Sequence, residues 1–377
     1  MKNILLATSA LALIVNLAAA AAPAPFSLNA KSAYVFHPAT GTVLLNQNGD
    51  QQMGPASLTK MMTLYLTFQA LKEGRLKLTD QLPVSEKAWR MGGSKMFVKV
   101  GTTVDVESLI RGMAIVSGND ACVVMAEKLG GTEEGFVAMM NKKATDIGMT
   151  HTNFTNANGW PDPAERTTAH DMAQLLTAIF RDFPEYKKYM AEEEFTYNGI
   201  KQQNRNGLLH ANAGVDAGKT GHTEESGYHL AATAVENNER LVSVVMGTDG
   251  FSTREGETLK AFRTFFASNK TVNVFQPGDA VVKDVPVWGG PRAMTDLTVA
   301  APVGVYISQL EHEKTNAQVS YNKPLVAPIA AGTPVGEVRV TLPSGQVVTS
   351  SLVVGTAIPK GGFFTRFAQV VASKFGH

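Results

Sequence analysis

Ser57 and Lys60 stand three residues apart in Pro55-Ala56-Ser57-Leu58-Thr59-Lys60, and residues at that spacing share one face of a helix. The residues that follow, Met61, Met62, Leu64, Tyr65, Leu66, Phe68 and Leu71, are apolar nearly all round. That pattern predicts a helix inside a core, opening at Ser57 and reaching to Lys72. An ammonium carried into such surroundings tends to lose its charge by desolvation. A neutral lysine against a serine hydroxyl is a base against a nucleophile. Two further short motifs follow in order: Ser117-Gly118-Asn119, expected at the end of a helix, and Lys219-Thr220-Gly221, expected on a strand.

Together these residues can carry acyl transfer. Ser57 attacks a carbonyl and Lys60, as a neutral amine, accepts its proton. Ser117 can relay a proton between Lys60, Lys219 and a leaving amine, and Asn119 can offer its amide to a substrate peptide group. Lys219 adds positive potential that disfavours protonation of Lys60 and attracts an anion. Thr220 can hydrogen-bond a carboxylate, and Gly221 lets a substrate backbone approach the strand closely. An oxyanion would be held by main-chain N–H groups, those of Ser57 and His222. No metal or cofactor is expected.

The elements that must position these side chains form a mixed α/β (α+β) chain. Two strand-like runs, Ser32 to Phe36 and Thr42 to Asn46, flank turn residues and predict an antiparallel hairpin. From Gly74 to about Asn198 the pattern is mainly helical, with helices expected over Ser108–Met113, Cys122–Leu129, Glu133–Ile147 and His170–Arg181. Asn153 to Thr168 reads as an ordered loop. Strands return at Val215–Thr220, Gly227–Val235 and Leu241–Met246, and a helix over Arg254–Ser268 closes this half. Strands at both ends with helices between predict one sheet completed by the two ends of the region, with a helical lobe inserted. After Asn269, seven short strand-like runs alternate with turns, which fits a small all-β sandwich.

The 377 residues carry a net charge of +1, which gives no reason to expect nucleic acid. Lys2, an apolar run from Ile4 to Leu17 and an alanine tract predict an export signal over residues 1–21. The single cysteine, Cys122, lies in an apolar helical run and is expected to be buried and inert. Residues 359–377 have helical periodicity, with Phe363, Phe364, Phe367, Val370, Val371 and Phe375 on one side. Such an amphipathic end can lie in a bilayer interface, yet it is too short and polar to span one.

S-x-x-K, S-D-N and K-T-G in this order are the signature of serine β-lactamases and penicillin-binding proteins, which this chain matches except for Gly118 in the middle of the second motif. The whole mature chain resembles the low-molecular-mass penicillin-binding proteins that are serine-type D-alanyl-D-alanine carboxypeptidases. Pro55–Met62, Ser117–Cys122, Asn204–Leu209 and Lys219–Thr223 carry the likeness. The resemblance implies a β-lactamase/transpeptidase-like domain over 22–269 with an antiparallel sheet and helical lobe, an all-β domain over 270–358, and a terminal membrane-association helix. It implies removal of the terminal D-alanine from peptidoglycan stem peptides through an acyl-enzyme on Ser57, acylation by β-lactams, and a place on the periplasmic face of the inner membrane. Arg254 corresponds to the family's carboxylate-binding arginine, so Lys219, Thr220, Gly221, His222 and Arg254 are the expected substrate contacts.

Two departures lie near the expected site of deacylation. Asn158-Gly159-Trp160-Pro161-Asp162-Pro163 carries Trp160 where relatives more often have leucine, and His170 precedes Asp171 where an arginine is common. Both bear on deacylation. His151, His170 and His222 are expected to have no catalytic side-chain role. A class A β-lactamase is the rival in mechanism, since Glu165 lies between the second and third motifs. Glu165-Arg166-Thr167-Thr168-Ala169 lacks the Leu-Asn ending that places the glutamate in those enzymes. A cell-wall binding protein without chemistry is the other rival, set against a full complement of reactive side chains.

Overall fold

The computed structural model describes residues 26–211, 214–364, 366 and 369. The expected export signal, 1–21, lies outside them, as does most of the expected terminal helix.

Strands β1 (Ser32–His37) and β2 (Thr42–Gln47) form the predicted antiparallel hairpin. A 3-10 turn, Ala56–Thr59, leads into α1 (Lys60–Lys72), which is buried on nearly every side. A two-stranded ladder of β3 (Gln81–Pro83) and β4 (Thr103–Asp105) encloses α2 (Glu86–Arg90). Helices α3 (Val106–Ala114), α4 (Asn119–Gly130), α5 (Glu133–Ile147) and α6 (Ala169–Asp182) complete a helical lobe. Side chains cap three of them: Asp105, Thr132 and Thr168 accept from the N–H groups of Ser108, Gly135 and Asp171, filling donors that a helix start leaves open. Gly148, at φ +92°, ends α5 in the left-handed region, as the sequence predicts.

A hairpin of β5 (Glu194–Tyr197) and β6 (Ile200–Gln203) precedes β7 (Val215–Thr223), β8 (Gly227–Glu236), β9 (Glu239–Thr248) and α7 (Phe251–Ser268). The main sheet has the order β2-β1-β9-β8-β7, antiparallel throughout, so the first hairpin is joined to strands some two hundred residues later. Alternation along β9 sorts its side chains to two cores. Val242, Val244 and Met246 pack with the helical lobe, whereas Leu241 and Val245 pack with Phe262 and Phe265 of α7. β7 is an edge strand, and its free side faces the helical lobe's α3–α4 turn.

The remaining strands are β10 (Asn269–Phe275), β11 (Val282–Trp288), β12 (Met294–Val299), β13 (Val303–Ser308), β14 (Asn316–Tyr321), β15 (Leu325–Val326), β16 (Pro334–Thr341) and β17 (Val347–Val354), with a short α8 (Gln309–His312). They make a β10-β13 pair and a six-stranded sheet ordered β14-β16-β17-β12-β11-β15, around a core that includes Val285, Leu297, Val305, Val338 and Leu352. This β part seats on the first hairpin. His37 stacks on Tyr306 at 4.4 Å, Tyr306 donates its N–H to Thr42 Oγ1 at 3.0 Å, and the Gln346 amide bridges Val43 N–H and Gly41 C=O.

Three expectations need correction. Ser57 does not open an α-helix: it lies in a 3-10 turn, where residues three apart eclipse. That geometry sets Lys60 over Ser57 more directly than an α-helix would. Ser117 lies not in a helix end but in the link between α3 and α4, and Asn119 is the first residue of α4. The region 74–198 also holds β3, β4 and β5, strands of three or four residues that are too short to show alternation.

Candidate active site

Ser57, Ser117, Thr220, Gly221, His222 and Arg254 meet in one place, an open cleft of about 400 Å³ between β7 and the helical lobe; Ser94, Arg205, Tyr228 and Phe251 also line it, while Lys60, Asn119 and Lys219 lie buried behind its walls. Lys60 Nζ is 2.7 Å from Ser57 Oγ and donates to the carbonyl of Asn158 at 2.5 Å. Lys219 Nζ donates to Ser117 Oγ at 3.0 Å and to the Thr220 carbonyl at 2.8 Å. Each serine is thus paired with its own buried lysine.

Burial pushes the Lys60 ammonium down to about 8. The nearby charges of Glu165 and Asp120 pull the other way, and that of Arg205 assists. Lys219 is driven well below the ordinary lysine range, first by burial and then by the charge of Lys60. Two ammonium groups cannot both be kept cheaply in so dry a space. The sequence attributes Lys60's neutrality to Lys219 as well as to burial; here burial dominates.

The backbone is held tightly at both serines. Ala56, just before the nucleophile, has φ +48°, and Ser117 has φ +61°. Non-glycine residues in the left-handed region store strain, and such residues gather where geometry serves chemistry. Neighbouring glycines make room for these turns. A Cβ on Gly159 would lie 1.8 Å from the Ala56 carbonyl oxygen, and one on Gly221 would meet Pro55 O at 3.0 Å. Gly221 is therefore required by the approach of the Ser57 turn to β7, where the sequence reading gave it to the substrate's backbone.

Gly118 stands in the middle of the second motif because a side chain has no space: its Cβ would lie 2.8 Å from Asp120 Oδ1. Asp120 in turn accepts from the N–H groups of Met96, Phe97 and Val98, tying the 94–98 segment to α4. Asn119 donates to the Gly92 carbonyl at 2.9 Å. The Trp160 indole lies against Gly92 and Gly93, where a Cβ would come within 3.1 and 3.2 Å of the ring.

Arg254 is buried in the cleft wall. Its terminal nitrogen donates to the Arg205 carbonyl at 3.1 Å and lies 3.2 Å from Glu255 Oε1, while its Nε has no partner. His222 is exposed and stacks on Tyr228 at 3.9 Å. His170 bonds Asp50 and Gln174 on a different face, and Cys122 is buried with its thiol pushed up to about 12.

Sequence reasoning missed Arg205, Ser94 and the Asn158 carbonyl. Arg205 is aimed by its neighbours: Asn204 Oδ1 accepts from the Asn206 N–H, and Asn206 Oδ1 from that of Leu208. Its one sequence signal is the paired asparagines around it. Asn158 acts through a main-chain atom, which no residue type announces.

The family described as D-alanyl-D-alanine carboxypeptidase matches residues 18–250, and the penicillin-binding protein 5 C-terminal domain matches residues 270–360. The chain is 38% identical over 346 residues to the D-alanyl-D-alanine carboxypeptidase DacA of Escherichia coli strain K12, covering 90% of this chain and 86% of that one. Among solved structures, it resembles penicillin binding protein 5 from Haemophilus influenzae with a TM-score of 0.80 at 37% identity, over 89% of this chain and 99% of that one. Penicillin-Binding Protein D2 from Listeria monocytogenes, solved in an ampicillin-bound form, matches with a TM-score of 0.57 at 28% identity, over 63% of this chain and 98% of that one.

Proposed function

The chain belongs to the D-alanyl-D-alanine carboxypeptidase family, and from that premise we propose how its cleft works. The protein is a serine-type D-Ala-D-Ala carboxypeptidase and a penicillin-binding protein. The observation that carries the residue assignment is Ser57 Oγ, 2.7 Å from a buried lysine whose ammonium is held down to about 8.

A stem peptide ending in D-Ala-D-Ala lies along the free edge of β7, adding as a strand would. Its terminal carboxylate is taken by the Thr220 hydroxyl and by the guanidinium of Arg254, both of which line the cleft. Asn119 offers its amide to the peptide. Ser57 Oγ attacks the penultimate carbonyl carbon while its proton passes to Lys60. The Oγ–C bond forms and the oxyanion is held by the N–H groups of Ser57 and His222. On collapse the C–N bond breaks, and the proton held by Lys60 passes by way of the Ser117 hydroxyl, which Lys219 holds, to the departing amine, leaving Lys60 neutral again. Water then hydrolyses the ester, releasing the shortened stem and restoring the Ser57 hydroxyl. β-Lactams acylate the same serine.

The export signal and the terminal amphipathic segment support a peripheral position on the periplasmic face of the inner membrane. Among the described residues no helix is long and apolar enough to cross a membrane. The chain divides into 22–269, 270–358 and 359–377 on this reading; the gap between a first family match ending at residue 250 and a second starting at 270 supports the first of these boundaries.

The assignment of Ser57 is tested by covalent labelling with a fluorescent penicillin, followed by peptide mapping. One label per chain on the Ser57 peptide, absent from Ser57→Ala, is the expected result. A label on any other residue overturns it. Rapid multiple turnover without a persistent adduct would favour a β-lactamase.

A further inference from the structure

The reaction scheme gives Glu165 no part, yet it is one of the most heavily bonded buried side chains near the nucleophile. Its Oε1 accepts from Thr59 Oγ1 at 2.5 Å. Its Oε2 accepts from Thr155 Oγ1 at 2.8 Å and from Asn156 Nδ2 at 2.6 Å. Thr59 sits between Ser57 and Lys60 in the chain, so the first bond ties the carboxylate to the nucleophile's own turn.

The bond to Asn156 reaches further. With Nδ2 committed to Glu165, the amide oxygen must face the other way, and it accepts from the N–H groups of Asn158 at 3.1 Å, Gly159 at 2.7 Å and Trp160 at 3.0 Å. Those three bonds fix the backbone at the point where the Asn158 carbonyl receives Lys60 Nζ. A neutral amine has two hydrogens and one lone pair. When one hydrogen is held by Asn158, the lone pair can be kept on Ser57, 2.7 Å away.

We infer that Glu165 is a positioning residue for acylation, setting the Lys60 lone pair on the Ser57 hydroxyl through Asn156 and the Asn158 carbonyl. This rests on the reading of Ser57 and Lys60 as nucleophile and base. Both Glu165 oxygens are committed to Thr59, Thr155 and Asn156, which separates its role from that of a glutamate holding a deacylating water.

The carboxylate accepts from all three donors, whereas its protonated form must reverse its bond to one of the threonine hydroxyls or give one bond up. Burial pushes the Glu165 carboxyl up to about 7, against the opposing effects of its Thr59 and Thr155 bonds and the charge of Lys60. Beyond Lys60, the charged groups around the adjoining pocket are Lys31, Asp162, Arg166 and Glu225. The loop is therefore latched more firmly as pH rises through about 7 and less firmly as it falls through that value.

The test measures acylation by a fluorescent penicillin, and D-alanine release from a D-Ala-D-Ala-terminated pentapeptide, on the full chain across neutral pH. Glu165→Ala is expected to acylate between about tenfold and a hundredfold more slowly, with non-covalent affinity unchanged. Glu165→Gln keeps the shape and retains most of the rate, but loses the step near pH 7. Asn156→Asp sets carboxylate against carboxylate and falls as Glu165→Ala does. Combining Asn156→Asp with Glu165→Gln exchanges the amide and the acid and restores the rate. Should Glu165→Ala fail to fold by circular dichroism, Asn156→Asp and the exchange pair decide. Wild-type acylation by Glu165→Ala, or an exchange pair no faster than Asn156→Asp, overturns the inference. If the wild type neither acylates nor releases D-alanine, the reading beneath it fails instead.

Discussion

Lys60 has to be neutral to serve as a base, and the fold supplies that by enclosing it in α1 rather than by placing a strong positive charge against it. Moving a lysine from the ordinary 10.5 to about 8 corresponds to about 3 kcal/mol of preference for the amine. The sign follows directly. Below about pH 8 Lys60 is an ammonium and cannot accept the Ser57 proton, so acylation by a penicillin should rise with pH through about 8 and level off above it. Stopped-flow acylation across that range measures this, and a rate that falls as pH rises through 8 would contradict a neutral-lysine base. The three motifs made Ser57, Lys60, Ser117, Asn119, Lys219 and Thr220 legible, because each role needs a particular side chain at a fixed spacing. The left-handed backbone at Ala56 and Ser117 was not legible, since neither alanine nor serine signals a positive φ. Nor was Glu165's bonding, which joins residues a hundred positions apart.

Among the elements, long periodic segments read well and short or main-chain features did not. α5 spans the expected residues, α6 runs one residue further at each end, and β8 one residue further at its C-terminal end. β7 runs on to Thr223, three residues past its expected end, because the Gly221 to Thr223 stretch stays paired with β8. The 3-10 turn at Ser57 and the β3–β4 ladder are governed by tertiary contacts rather than local pattern. The terminal segment belongs to this scale too. Phe363 and Phe364 are 70% and 84% exposed, while the polar side chain of Gln369 bonds Gly289 N–H and Gly290 C=O of the β part. An end held to the protein through its polar side can offer its aromatic side to a bilayer. A chain truncated after Pro359 is expected to move from the membrane to the soluble fraction in cells, with its penicillin labelling intact. Equal membrane recovery of the full and truncated chains would refute that placement.

For the whole molecule, the sequence conveyed the architecture because hydrophobic alternation changes character at Asn269, and because strands bracket a helical stretch. It conveyed neither the seating of the β part, which depends on His37, Tyr306, Thr42 and Gln346 meeting across a distance in sequence, nor the cleft's walls. The cleft exists because the edge strand β7 and the α3–α4 turn approach from opposite ends of the fold, so that Lys219 reaches Ser117. In the proposed mechanism its orientation comes from Arg254 at the carboxylate end and Ser57 at the scissile carbonyl. The most direct test is D-alanine release from a pentapeptide ending in D-Ala-D-Ala, followed side by side for the wild type, Ser57→Ala and Lys60→Ala. The wild type should release one D-alanine per peptide, and both folded variants should lose release by at least about a thousandfold. Release by Ser57→Ala at the wild-type rate would contradict the mechanism at its centre.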